Sequence, residues 1–425
     1  MSISIPKGVF DILPDDPDPK GSWRQSHYWT HVESVIRSIT KVYGFKEIRT
    51  PIFERTELFC RGVGETSDIV SKEMYTFDDK AGRSMTLRPE GTAPVMRAYI
   101  EKKLYTQSPV SKFFYISPMF RYERPQAGRY RQHQQFGIEA IGNYAPEQDV
   151  EIIDMVHELY KTLGLTGLTF FINSVGDKES RIQFRQALQD FLRPHLDVLS
   201  DDSKRRFEIN PLRILDSKDP ADKKIIQQAP SILDHLSDAS RDHFHAVCSQ
   251  LTTLGIPYEI NTNLVRGLDY YTNTVFEVVS RQLGAQDSIG GGGRFNDLIK
   301  TLGGPDTPAV GFASGMERII QTMQGQQVAI PPSPHPTLFF IALGDEAKAK
   351  CLSLLYQARH ANIPADMDFS DKKLKHIMKY ANASNAEYVV IIGNDELATN
   401  EADIKTMSDG STQKINLDTL INTFS

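Results

Sequence analysis

From Trp23 to Tyr43 the stretch WRQSHYWTHVESVIRSITKVY sets Trp29, Val32, Val35, Ile36 and Ile39 at three- and four-residue intervals, the spacing that lines one face of an α-helix. Gly44 ends that helix. FKEIRTPIF then reads as a strand interrupted by Pro51, which has no N–H to give a central ladder and belongs at an edge or an interface. The period changes after this point. KEMYTFDD, SMTLRPE, KFFYISPMFRYE, HQQFGIEAIG, LTFFINSVG and NTVFEVVSR are short β-rich runs divided by turns or loops, which predicts a mainly antiparallel sheet. Helical segments over Ala93–Leu104 and Asp149–Leu163 interrupt them.

Residues 180–255 carry helical periodicity and no strand pattern, so they read as a helical insertion between sheet strands. Past Ile320, QTMQGQQVAIPPSPHPT holds four prolines and marks a linker. Beyond it TLFFIAL, a helix, IPADMDF, a second helix, YVVIIG, ADIKTMS and a last helix predict a small α/β domain on a substantially parallel sheet. The expected organisation is an α+β domain over residues 1–325, a Pro-rich linker over 326–336, and an α/β domain over 337–425.

A chain of 425 residues is long enough for two or three domains, and 40% apolar with 24% charged residues describes a soluble globular protein. No apolar run reaches the roughly 20 residues that span a bilayer, and MSISIPKGVFDILP lacks the pattern of a secretory signal. Cys60, Cys248 and Cys351 stand far apart without CxxC or Cys/His spacing. That argues against zinc and disulfides and for a reducing cytoplasm. The net charge of −6 does not announce a nucleic-acid partner. Positive charge is local instead: Lys112–Arg131 holds one lysine and four arginines against one glutamate, a balance of +4. Such a patch in an acidic chain suits one bound anion better than the coating of a polyanion.

Five stretches carry candidate chemistry. In FRYERPQAGRYRQHQQFGIE, Arg121, Arg124, Arg129 and Arg131 sit in a loop between two strands that would pair as a hairpin. A solvated basic loop is the bland reading; the near absence of lysine favours a two-pronged hold on carboxylate or phosphate. LVRGLDYYTNTVFEVVS places Arg266, Asp269, Tyr270 and Tyr271 before a strand, either as a plain turn or as the wall of a polar pocket. The glycines of SIGGGGRFNDLI permit a close approach of backbone to a ligand, or a sharp turn, and fit neither the dinucleotide fingerprint nor the P-loop. In AVGFASGMERIIQTM, Arg318 lies among apolar residues, snorkelling at a rim or held against an anion or a ring. In MTLRPEGTAPVMR, Thr92 could cap a helix, and Glu90 could favour its positive end or hold an ammonium group.

In this order the five stretches resemble the histidyl-tRNA synthetases, within the class II aminoacyl-tRNA synthetases, over nearly the whole chain. GFKEIRTPIFERTELF resembles motif 1, the arginine loop motif 2 and VGFASGMERI motif 3, while VRGLDYYT and GGGGRF resemble the two stretches peculiar to the histidine-specific members. The resemblance implies a class II catalytic domain, a C-terminal anticodon-binding domain, and attachment of histidine to tRNA(His) through a histidyl-adenylate. ATP with Mg²⁺ is the implied co-substrate, without zinc or an organic prosthetic group. A homodimer through motif 1 around Pro51 is also implied.

Residue by residue, the resemblance implies that Arg121 binds the α-phosphate with Arg266 on its other side, and that Arg129 and Arg318 lie near the γ-phosphate and adenine, on which His133 stacks. Glu90, Thr92 and Gln135, with Gly91 beside them, would hold the ammonium group. Glu139 and Tyr271 would address the imidazole nitrogens, with Tyr270 as a wall, and Gln126 would touch the acceptor end of the tRNA. The chain departs from the family pattern at Phe295, usually tyrosine, and at His133-Gln134, commonly Phe-His. The second reading is a histidine-sensing regulatory paralogue that serves a biosynthetic phosphoribosyltransferase. That paralogue generally lacks the VRGLDYYT arginine and the terminal domain. In DKKLKHIMKY, Lys372, Lys373, Lys375 and Lys379 read first as a solvated helix face.

Overall fold

The structure is a computed structural model that describes residues 3–64, 67–123, 128–280, 288–370 and 372–424. The chain divides into two compact units, Met1–Pro331 and Pro332–Ser425.

In the first unit α1 (Ser26–Val42), β1 (Lys46–Glu47), β2 (Phe53–Arg55), α2 (Thr56–Val63), β3 (Tyr75–Asp78), β4 (Ser84–Leu87) and α3 (Thr92–Glu101) precede a long hairpin. The hairpin is β5 (Ser111–Phe120) and β6 (Gln132–Ile141), followed by α4 (Pro146–Thr162) and β7 (Leu168–Ser174). Four helices come next: α5 (Lys178–Leu192), α6 (Asp201–Ile209), α7 (Pro220–Ile226) and α8 (Asp238–Thr253). The unit closes with β8 (Glu259–Ile260), β9 (Thr272–Ser280), β10 (Ser288–Arg294), α9 (Leu298–Thr301), β11 (Ala309–Gly315) and α10 (Met316–Gly325).

Eight strands form the main sheet in the order β1-β5-β6-β11-β10-β9-β7-β8, antiparallel except for its two edge pairs. β2, β4 and β3 make a separate three-stranded sheet. Period-two alternation explains how the main sheet serves both a core and a site. Phe136, Ile138, Val310, Phe312, Phe276 and Val278 turn to one face and pack with α1, α4, α8 and α10 in the largest core cluster. On the other face the register aligns Tyr115, Gly137, Ala313, Gly291 and Glu277 in one row across five strands. The neighbouring row reads Phe113, Glu139, Gly311, Gly293 and Val275. Small residues in the three central strands leave open space there, so the face is a floor.

The four-glycine stretch is therefore neither a turn nor a loop: Gly290–Gly293 lie within strand β10. Glycine is depleted in strands and shows no alternation of apolar side chains, which is why the pattern concealed this element.

The second unit carries β12 (Leu338–Ala342), α11 (Asp345–His360), β13 (Ala365–Met367), α12 (Leu374–Ala383), β14 (Tyr388–Ile392), α13 (Asn394–Thr399), β15 (Glu401–Thr406) and β16 (Thr412–Asn416). The sheet order is β13-β12-β14-β15-β16. Only the pairs of β12 with β13 and β14 are parallel; β14, β15 and β16 run antiparallel. The helix expected after ADIKTMS is thus corrected to an edge strand, with only a short 3₁₀ turn at Ile421–Thr423. Asp409-Gly410, with Gly410 at φ +76°, makes the reversal. Apolar packing in this unit runs through Leu338, Phe340, Leu354, Leu355 and Val390.

Candidate active site

A cavity of about 480 Å³ opens over the small-residue floor. β5 and β6 present the first wall. Arg121 follows the last residue of β5, lines the cavity, and donates from Nε to the Pro89 carbonyl at 2.8 Å. Arg129 pairs with Glu123 at 3.1 Å and also lines the space. Arg131 does not join them: its guanidinium stacks over Tyr122, 4.3 Å from the ring centre. Arg124 and Gln126 lie outside the described residues.

The opposite wall is the 266–271 loop. A Cβ on Gly291 would stand 2.4 Å from the guanidinium carbon of Arg266, so only glycine lets that arginine lie flat on the floor. Arg266 Nη1 donates to Glu277 Oε1 at 2.5 Å, and Ser288 Oγ donates to the same oxygen at 2.7 Å. Tyr270 and Tyr271 follow, their ring centres 4.8 Å apart, both lining the cavity. Burial pushes both phenols above their ordinary pKa, so they stay neutral donors at physiological pH.

The start of α3 supplies a third side, and here one expectation is corrected. Thr92 is not the helix cap; it is the first helical residue after Gly91. Glu90 caps the helix instead, accepting from the N–H groups of Thr92 at 2.7 Å and Ala93 at 2.8 Å. Thr92 Oγ1 is released to donate to Glu139 Oε1 at 2.7 Å. Glu139 is fully buried, its Oε2 has no hydrogen-bond partner, and that oxygen fills the space a Cβ on Gly311 would need, 2.0 Å away. Burial raises the pKa of Glu139 well above the carboxylate range, and burial also raises that of Glu90. Gln135 lines the cavity beside them, its Oε1 accepting from Tyr115 Oη at 3.3 Å. Gly91 stands behind this group, where a Cβ would meet the Tyr115 ring at 2.2 Å.

α10 and β6 close the far end. Arg318 lines the cavity and donates to the Ser288 carbonyl at 2.9 Å, so it is neither snorkelling nor buried in the apolar core. Burial, with the charges of Arg121 and Arg318, pushes the His133 pKa down to about 3, which keeps its ring neutral and suited to stacking. Phe295 packs edge-on against Tyr270 with ring centres 5.5 Å apart.

Ten of the twelve expected site residues line this one cavity, and Glu139 and Gly91 lie directly behind its lining. Sequence reasoning missed Glu277, Tyr115 and Glu317. An acid inside the otherwise apolar TVFEVVS was a usable signal for the first. It also missed Asp216 and Lys218, which reach the cavity from the helical segment between β7 and β8, a contact with no local signature.

Chemically, the cavity gathers unlike groups. Guanidinium groups from three separate stretches share it with buried carboxyls, an amide and neutral phenols. That suits an amino acid meeting a polyphosphate. The antiparallel sheet with this cavity defines the catalytic domain of a class II aminoacyl-tRNA synthetase. Residues 19–319 match the family model described as histidyl-tRNA synthetase, and residues 330–425 the one described as anticodon binding domain. A histidine–tRNA ligase of Protochlamydia amoebophila is 57% identical over 423 residues, covering 100% of this chain and 99% of that protein. Another from Geobacillus sp. is 48% identical over 99% of this chain and 98% of its own. The crystal structure of apo S. aureus histidyl-tRNA synthetase matches with a TM-score of 0.83 at 38% identity, over 100% of both chains. This chain belongs to the histidyl-tRNA synthetase family.

Proposed function

We propose that the cavity joins histidine to ATP and passes the histidyl group to the 3′ end of tRNA(His). The histidine carboxylate oxygen attacks the α-phosphorus, pyrophosphate leaves, and a terminal ribose hydroxyl of the tRNA then takes the acyl group and releases AMP. The carboxylate is already a nucleophile, so the first step needs no general base. It needs charge neutralisation and alignment at phosphorus.

Arg121 and Arg266 fill that role from opposite walls of one cavity, and this shared cavity is the observation that carries the reading. Arg129 and Arg318 hold the outer phosphates and the adenine end, where His133 stacks. Mg²⁺ would accompany ATP on its outer phosphates. Glu90, Thr92 and Gln135 take the ammonium group of histidine. The unpartnered Oε2 of Glu139 accepts from one imidazole nitrogen and Tyr271 meets the other, with Tyr270 as the wall. A pocket that satisfies both nitrogens rejects apolar mimics, which would leave its buried polar groups unpaired.

Residues 1–325 act as the catalytic body, 326–336 as a linker, and 337–425 as the anticodon-reading domain. Exposed Ile52, Phe53 and Phe77 beside Pro51, with the two phenylalanine rings 6.2 Å apart, support pairing of two chains through motif 1. Three free cysteines suit a reducing cytoplasm, and among the described residues no helix is long and apolar enough to cross a membrane. The regulatory alternative is disfavoured by the arginine in VRGLDYYT and by the matched anticodon-binding domain.

Histidine-dependent ATP–pyrophosphate exchange decides between the two. Exchange with histidine alone among the amino acids supports the enzyme, and histidine binding without exchange favours the regulator. Arg266→Ala is expected to abolish exchange while histidine binding, read by calorimetry, and the fold persist. Undiminished exchange in that variant would remove Arg266 from the mechanism.

A further inference from the structure

The helices between β7 and β8 do more than cover the sheet. The turn after α6 reaches both walls of the cavity. Asp68, just before the single π-helical turn Ile69–Glu73, accepts at Oδ2 from Arg206 Nη2 and from Arg213 Nη2, each at 3.2 Å. At the other end of that turn the Glu73 carbonyl accepts from the N–H of Tyr122 at 2.7 Å, the residue next to Arg121. On the second wall Asn210 Nδ2 donates to Asp269 Oδ1 at 3.0 Å, the residue next to Tyr270. Asp269 is itself tied to the end of α2, its N–H donating to the Val63 carbonyl at 3.3 Å. A Cβ on Gly64 would stand 2.6 Å from Asp269 Oδ2, and the Arg213 guanidinium lies against Gly267.

These contacts span three stretches remote in sequence, and none is made by a residue assigned to a substrate. An aspartate shared by two arginines is a charge-assisted clamp, stronger than a neutral hydrogen bond and demanding in geometry. We infer that Arg206, Asn210 and Arg213 of the helical segment are positioning residues for histidine activation, acting through Asp68 on the Arg121 wall and through Asp269 on the Tyr270–Tyr271 wall. The inference rests on the reading of those walls as the histidine pocket. It gives the helical segment a part in the first half-reaction, before any tRNA is bound.

The test uses the full-length protein in histidine-dependent pyrophosphate exchange, with Asp68→Asn, the Arg206→Ala/Arg213→Ala pair, all three together, and Asn210→Ala. Asp68→Asn and the arginine pair should each lower kcat/KM for histidine about tenfold, with KM for ATP changed less than about twofold, a coupling of ordinary size. The triple variant should be no worse than its poorer parent, because all three groups act through one contact. Asp68→Glu should recover part of the loss, which a general weakening of the fold would not allow. Losses that multiply in the triple variant, or that fall equally on histidine and ATP, would overturn the inference. So would wild-type kinetics in Asp68→Asn with unchanged melting. If the Asp68 and arginine variants fail to fold, Asn210→Ala decides: a raised KM for histidine supports the inference and wild-type values overturn it. A wild-type protein without histidine-dependent exchange would instead bring down the functional reading itself.

Discussion

Replacing Glu139 by glutamine exchanges one oxygen for an amide nitrogen where nothing else can move. Thr92 Oγ1 still donates to the remaining oxygen, so the 2.7 Å contact survives. The change falls on Oε2, the atom without a partner. If that oxygen receives an imidazole N–H, the variant sets one donor against another, loses the hydrogen bond and leaves a buried donor unpaired, about 1–3 kcal/mol. That is a fall of roughly 5- to 150-fold in kcat/KM for histidine. Stability should move the other way. Burial holds the Glu139 pKa above its unfolded value, so the group's favourable contribution is complete below the ordinary value near 4.5 and is lost as pH rises toward the folded pKa. Glutamine does not titrate. Wild type and Glu139→Gln should therefore melt together in mild acid and separate above it, with the variant the more stable at pH 8. Exchange kinetics at pH 8 and thermal melts at pH 4.5 and pH 8 read both signs. Unchanged kcat/KM for histidine would remove Glu139 from imidazole recognition. A variant less stable at pH 8 would mean that its carboxylate is structural.

The other predictions follow from close contacts and buried charges. Gly311→Ala drives a methyl to 2.0 Å from Glu139 Oε2 and 2.6 Å from the Ile138 carbonyl, so urea unfolding should show a loss of about 1–3 kcal/mol, and KM for histidine should rise. Glu317 is buried with its pKa raised to about 8, so its contribution to stability fades between its unfolded value and that pH. Glu317→Gln should match wild type near pH 5 in urea midpoints and exceed it by a few kcal/mol, at most ~4, near pH 8. Arg294 is wholly buried, donating to Asp149 and to the carbonyls of Asn143 and Ala145. Arg294→Met takes the arginine from that buried carboxylate, leaving His243 Nε2 3.3 Å from it, and should cost about 3–5 kcal/mol in denaturant melts.

The parts of this fold and site that could be read from the chain share a physical property: their cause is local. Helix α1 was legible because its apolar residues repeat over four turns, and Trp29, Val32 and Ile36 are indeed buried at that spacing. β5 and β6 were legible because two β-rich runs on either side of a polar loop define a hairpin, which pairs from Ser111–Ile141 to Phe120–Gln132. The loop arginines drew notice because arginine in place of lysine suits a two-pronged hold on an anion, and Arg318 because it lies among apolar residues. What remained hidden depends on pairing between distant segments. Four glycines carry no period, and only the register of β9, β10 and β11 reveals them as the floor under Arg266. Arg121 and Arg131 part for another reason. Both flank one loop, and the Arg121 N–H donates to the Arg131 carbonyl, which sets the two positions opposite each other, but their side chains take different partners. Arg121 donates to the Pro89 carbonyl and lines the cavity, and Arg131 stacks on the ring of Tyr122. A cluster of charge in sequence therefore overstates a cluster in space by whatever neighbouring partners draw off. The cavity consequently draws on arginines from three stretches of the chain, because one hairpin loop does not aim all of its own into a single space.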